Sequence, residues 1–177
     1  MDASTPARRT VAIGYDSGGA LTTGSYNTAI GWYSLRNATT SESNVAVGNG
    51  SSQNTTTGGS NTAVGTSSLA ANTTGTNNIA IGYESLKSTD EAHWNTVIGY
   101  RAGRLGNMSN ANTVVGALAG VDNTSVGLVA FGYEAASVNT SGSNNTAIGY
   151  QALKDNTTGQ QNTAVGSVAL TANTTGN

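Results

Sequence analysis

The residues best equipped for chemistry lie in one short stretch. His93, the single histidine, follows Asp90 and Glu91 and stands beside Trp94, with Ser88 just upstream. A histidine near a serine and an acid suggests a hydrolytic relay, in which the imidazole takes the hydroxyl proton and the carboxylate orients the ring. Neither that relay nor a metal site is completed. Ser88 and Asp90 fall in a variable turn with nothing to make them converge on His93. One histidine with Asp90 and Glu91 lacks a full ligand set. Gly14-Tyr15-Asp16-Ser17-Gly18-Gly19 is glycine-rich but does not open a helix, as a phosphate cradle would. The calcium-binding phrase GGxGxD is absent. The chain reads as a non-enzyme without catalytic residues, metal or cofactor.

Binding chemistry is better represented. Tyr83, Glu84, His93, Trp94, Tyr100, Arg101 and Arg104 cluster between residues 83 and 106, where the sequence is least regular. Aromatic and arginine side chains dominate binding hot spots. His93, Trp94, Tyr100, Arg101 and Arg104 are therefore the candidates for contact with a partner or a surface glycan. Their bland reading is turn residues and inter-chain packing.

What must position these residues is a repeat. A polar residue, two small or β-branched residues, an aliphatic and a glycine recur as TVAIG at Gly14, NTAIG at Gly31, NVAVG at Gly48 and NTAVG at Gly65. The phrase continues at Gly82, Gly99, Gly116, Gly132, Gly149 and Gly166, at intervals of 17 residues except for 16 between Gly116 and Gly132. An aromatic often follows the glycine, then a small residue and Leu, as in Gly149-Tyr150-Gln151-Ala152-Leu153. An Asn/Thr-rich stretch with its own glycine closes the unit, as in Asn156-Thr157-Thr158-Gly159. A glycine recurring in such a cluster predicts a turn of positive φ. Each unit therefore reads as strand, bend, short segment, turn and return, without helix.

A unit this short cannot bury a core alone, but stacked units can. The predicted fold is all-β: a parallel β-solenoid, or β-roll, of about ten 17-residue coils over residues 10–177, preceded by an N-terminal segment, 1–9. Side chains alternate along a strand. Positions two and four of the phrase (Thr28 and Ile30, for instance) are β-branched and are expected inside the coil. Position one is Asn in eight copies, from Asn27 to Asn162, and predicts a ladder of stacked amides. Position three carries Ala12, Ala29, Ala46, Ala63, Ala80, Val97, Val114, Ala130, Ala147 and Ala164. On this reading it faces outward yet is never polar, against the usual alternation. That stripe predicts burial against sister chains in a homotrimer, the alternative being a monomer with a tolerated alanine ladder.

The phrase resembles the head repeats of trimeric autotransporter adhesins, whose units read like NSVAIG. It resembles still more the NTAIGYxAL…NTTG repeats of bacteriophage tail-fibre proteins. The likeness spans Thr10 to Asn177. It implies a left-handed β-roll, three chains about one axis, and attachment to a host or surface. The 17-residue unit is longer than the common adhesin-head unit, and no coiled-coil stalk or anchor accompanies it. Because the chain stops within a repeat, the expectation is a piece of a longer fibre, or ends covered by other fibre or virion proteins.

The resemblance implies a structural or adhesive protein at a virion or bacterial surface, and composition excludes several other classes. Only 9% of residues are charged and the net charge is −2, which offers nothing to nucleic acid. Cysteine is absent, which excludes disulfides and thiol chemistry. No apolar run is long enough for membrane insertion, and Met1 to Thr10 lacks the apolar stretch of a secretory signal, so the expectation is export without one or a piece of a larger chain. The Asn-x-Ser/Thr sequons, Asn37 among them, read as turn composition. Two other solenoids compete with this expectation. A hexapeptide acyltransferase would show an aliphatic residue every six positions and an active-site histidine cluster. An ice-binding solenoid would use a flat threonine ladder. Thr28, Thr62, Thr96, Thr113, Thr146 and Thr163 form one, but the reading above turns it inward, and Val45, Ile79 and Val129 interrupt it. A filament subunit without a ligand of its own is the remaining alternative.

Overall fold

The computed structural model describes residues 9–177, so the N-terminal segment lies, but for Arg9, outside the described residues. The described residues form one parallel β-solenoid of ten three-residue strands without helix. The strands are β1 (Val11–Ile13), β2 (Thr28–Ile30), β3 (Val45–Val47), β4 (Thr62–Val64), β5 (Ile79–Ile81), β6 (Thr96–Ile98), β7 (Thr113–Val115), β8 (Val129–Phe131), β9 (Thr146–Ile148) and β10 (Thr163–Val165). They pair in sequence order, each with the next coil's strand, in strict register: Ala29 lies beside Ala46, and Val97 beside Val114. Backbone bonds continue outside the strands, as from Tyr33 N to Tyr15 O at 3.0 Å and from Leu35 N to Ser51 O at 3.0 Å. The repeat length thus becomes a set of rungs spaced by about 4.8 Å.

The two faces of the strands are the reverse of the expected ones. Position three points into the coil: Ala29, Ala46, Ala63, Ala80, Val97, Val114, Ala130 and Ala147 are fully buried and Ala164 nearly so. Only Ala12, in the first strand, is exposed. Positions two and four point outward, with Ile13, Ile81, Phe131 and Ile148 among the exposed large apolar residues. The alanine stripe is therefore core within a single chain and does not line an interface between chains. Interior width explains the reversal. Leu35, Leu69, Leu86 and Leu153, at position nine of the unit, fill the coil from the opposite wall and are fully buried. Close packing then leaves room for little more than a methyl group on the strand side.

Those leucines hold left-handed backbone, with φ of 50° at Leu35, 52° at Leu69, 47° at Leu86 and 52° at Leu153. That conformation costs a residue with a Cβ roughly 1–2 kcal/mol. Burying a leucine side chain contributes about 1.5–3 kcal/mol, which offsets the strain. Gly18, Gly103 and Gly120 occupy the same position with φ of 60°, 56° and 53°.

The Asn ladder is formed as expected. Asn44 donates its backbone N–H (3.0 Å) and its Nδ2 (3.2 Å) to Oδ1 of Asn27. The pattern repeats from Asn61 to Asn44, Asn78 to Asn61, Asn95 to Asn78 and Asn112 to Asn95. Each amide also crosses the coil, as Asn44 Nδ2 does to Gly58 O at 3.0 Å, tying strand to turn. The ladder breaks at Leu128, in the coil that is one residue short, where only the Leu128 N–H reaches Asn112 Oδ1 at 2.8 Å. A second amide ladder, not anticipated, joins Asn123, Asn139, Asn156 and Asn173.

The glycines divide their roles differently from the expectation. The bend glycine ending the phrase has positive φ, for example 125° at Gly82, and a Cβ there would stand 2.4 Å from the Gly99 carbonyl oxygen. The turn glycine of the Asn/Thr cluster does not have positive φ. Gly58 is needed because a Cβ would meet Gly75 O at 2.4 Å. Close stacking of rungs, rather than turn conformation, selects it.

Candidate binding surface

Two surfaces follow from this packing. The first is the outer face of β1–β10. Position four supplies an unbroken aliphatic and aromatic rank, from Ile13 and Ile30 through Phe131 to Val165. Position two supplies a rank in which Thr28, Thr62, Thr96, Thr113, Thr146 and Thr163 are interspersed with Val11, Val45, Ile79 and Val129. The threonine ladder therefore faces outward, contrary to the sequence reading. Nine rung steps make a strip roughly 43 Å long. Its apolar side chains are partly or largely exposed: 58% at Ile13 and 40% at Ile148.

The second surface runs along the edge just past the C-terminal ends of the strands. Position six follows the bend glycine and carries Tyr15, Trp32, Tyr83, Tyr100, Tyr133 and Tyr150, all exposed. They occur as pairs on adjacent rungs. Tyr83 and Tyr100 stack with ring centroids 5.6 Å apart and planes at 14°. Tyr133 and Tyr150 do so at 5.6 Å and 11°, and Tyr15 and Trp32 lie 4.8 Å apart, tilted by 36°. The residue after the first aromatic of each pair is an acid: Asp16, Glu84 and Glu134. Each acid is bonded by a cation from the next rung. Arg36 Nε reaches Asp16 Oδ2 at 2.7 Å, Arg104 Nε reaches Glu84 Oε2 at 2.6 Å, and Lys154 Nζ reaches Glu134 Oε2 at 2.7 Å. The same group of four residues is built three times.

The middle copy is the most elaborate. Glu84 is buried and also takes Lys87 Nζ on Oε1 at 2.6 Å and Arg101 Nε on Oε2 at 3.2 Å. The Arg101 guanidinium lies 5.1 Å from the Tyr100 ring centroid and 5.8 Å from that of Tyr83. The hydrogen bond from Lys87, helped by Arg104, holds the Glu84 carboxyl below its usual range against the opposing effect of burial. Lys154 and then Gln151 do the same for Glu134. A hydrogen bond to Glu134 raises the Tyr133 phenol, and the Glu134 carboxylate raises the Lys154 ammonium.

The five candidate binding residues are not one cluster. After β6, Arg101 and Arg104 meet on Glu84, and Tyr100 lies under the Arg101 guanidinium. His93 and Trp94 precede β6 and sit at the other end of the strand. There the Thr76 N–H donates to His93 Nδ1 at 3.0 Å, and the His93 N–H donates to Asn110 Oδ1 at 2.8 Å. Trp94 is exposed, its ring centroid 5.4 Å from that of His93. The reading by residue type did not find the Asp16 and Glu134 copies. Their signal was present: an aromatic–acid pair, an aromatic 17 residues after the first, and a cation 20 residues after the acid. No group of three or more metal-ligating side chains occurs among the described residues. Comparison with protein-family models, with curated proteins and with solved structures returns no match.

Proposed function

We propose that this chain is a rod segment of a homotrimeric attachment fibre, extracellular, belonging to a phage tail or a bacterial surface. The outer strand face, not the alanine stripe, turns toward the shared axis. The observation that carries this reading is the aliphatic rank at position four, which runs the length of the rod in contact with water. Extended apolar strips on a protein surface mark interaction sites. Such a strip crosses every described strand, so identical chains can bury it by lying side by side around an axis. The resemblance of the repeats to adhesin heads and tail fibres supports the same arrangement, with its left-handed coil. Function is then mechanical: backbone rungs and amide ladders supply stiffness, and copies around the axis supply multivalent contact. Other fibre or virion proteins cover the ends. Light scattering on the purified chain tests this. The expected mass is that of three chains, and Ile30→Lys with Val64→Lys and Ile98→Lys shifts it to one. A stable wild-type monomer sinks the reading.

The outward threonine rank favours one second reading, an ice-binding surface, because regularly spaced hydroxyls and methyls on a rigid flat sheet can order water. This requires the strip to be free. Thermal hysteresis from a monomeric chain, abolished by Thr96→Tyr, supports it, and its absence removes it.

A further inference from the structure

The triplicated edge carries an inference that rests on the attachment role and names what is attached. We infer that the aromatic–acid–cation groups are three sites for one neutral polysaccharide chain lying along the rod.

The pairing is selective. Where position six is aromatic on two successive rungs, the first rung bears a carboxylate and the second a cation that holds it. Where position six is Asn49, Thr66, Ala117 or Ser167, the following residue is Gly50, Ser67, Leu118 or Val168. Scaffold demands alone do not produce this, because all rungs share the same backbone. The chemistry matches sugars. Exposed aromatic rings offer apolar surface for the C–H face of a pyranose, with the phenol as a polar handle. Immobilised carboxylate, guanidinium and ammonium groups beside the rings offer fixed acceptors and donors for hydroxyls. Asp16 with Arg36 and Glu134 with Lys154 are charge-balanced, which favours an uncharged ligand at the outer two sites. The middle site adds Lys87 and Arg101 as further donors.

Spacing points to a polymer. The three pairs are centred four and three rungs apart, or about 19 and 14 Å. One extended chain spans all three, so individually weak contacts combine by effective concentration.

Affinity electrophoresis in gels cast with mannan, dextran or galactan, and with heparin as the anionic counterpart, tests the inference. The expected result is retardation in at least one neutral gel. A variant carrying Tyr83→Ala, Tyr100→Ala, Tyr133→Ala and Tyr150→Ala should lose at least tenfold in apparent affinity. Asn49→Ala with Thr66→Ala, in the same column, should leave it unchanged. Trp32→Ala alone should weaken binding partially, which guards against misfolding of the fourfold variant. Retardation by heparin only, by no gel, or equally by the fourfold variant overturns the inference. Light scattering on the same samples separates it from the assembly reading. A trimer that ignores every neutral polysaccharide defeats this inference alone, whereas a monomer that binds one supports it and defeats the trimer.

Discussion

Val114 and Gly120 share one space across the interior of the same coil: a Cβ on Gly120 would stand 3.4 Å from both γ-carbons of Val114. The same holds for Val97 and Gly103, at 3.4 Å from Cγ1. These are the two rungs on which position three is Val rather than Ala, and on both the facing position nine is Gly rather than Leu. On these two rungs the larger strand residue is matched by a smaller facing one, as close packing requires, with Met108 and Leu128 also reaching the space beside Gly103 and Gly120.

The exchange can be measured. Val114→Ala should destabilise by about 2 kcal/mol through lost methyl burial. Gly120→Leu should also destabilise, through overpacking and left-handed strain. Combined, they should cost less than the sum of the two, by about 1 kcal/mol or more in a double-mutant cycle read by chemical denaturation. Strict additivity would mean that the two residues do not compete for space.

Asn78→Ala should be among the costliest single changes. Asn78 Oδ1 accepts the backbone N–H of Asn95 at 3.1 Å, and its Nδ2 donates to Ala92 O at 2.7 Å. Losing it strands buried partners at about 1–3 kcal/mol each. Thermal melts should drop by several degrees. An unchanged melting temperature would show that the ladder is ornamental.

Gly82→Ala and Gly166→Ala share a left-handed bend, with φ of 125° and 127°. Only the first meets a neighbour, the Gly99 carbonyl oxygen at 2.4 Å, while around Gly166 nothing lies within 4 Å. Gly82→Ala should therefore disrupt folding where Gly166→Ala costs strain alone. Circular dichroism on the pair decides it, and equal losses would refute rung crowding as the cause.

Acid should weaken the rod through Glu84 and Glu134. Both carboxyls are held below the ordinary 4.5 by bonded cations, chiefly Lys87 and Lys154. A group with a depressed folded-state value binds its proton more readily when unfolded. Its stabilisation is complete above 4.5 and is lost as pH falls through the folded value. The melting temperature should decline below about pH 4.5, and Glu84→Gln with Glu134→Gln should flatten that decline. An identical slope in the variant would locate the acid sensitivity elsewhere.

Repetition made the fold legible. A phrase returning every 17 residues dictates in-register parallel stacking, because only that arrangement places identical strands, amides and bend glycines on top of one another. Ten strands, their order and the Asn ladder all follow from Asn27, Gly31 and their copies. The aromatic–acid–cation groups were also written there as offsets of 17 and 20, but those numbers acquire meaning only once the rung is known.

Strand alternation determined that Ala29 and Ile30 face opposite ways; it did not determine which of them faces in. That choice belongs to the opposite wall. Leu35 occupies the narrow interior and leaves Ala29 the only space remaining, so the larger Ile30 is turned out. The same structure separates Trp94 from Arg101, neighbours in sequence that a strand holds at opposite ends. Sequence carried the period, and three-dimensional packing decided inside from outside, because a leucine from the facing wall fills the space that a larger residue at position three would need.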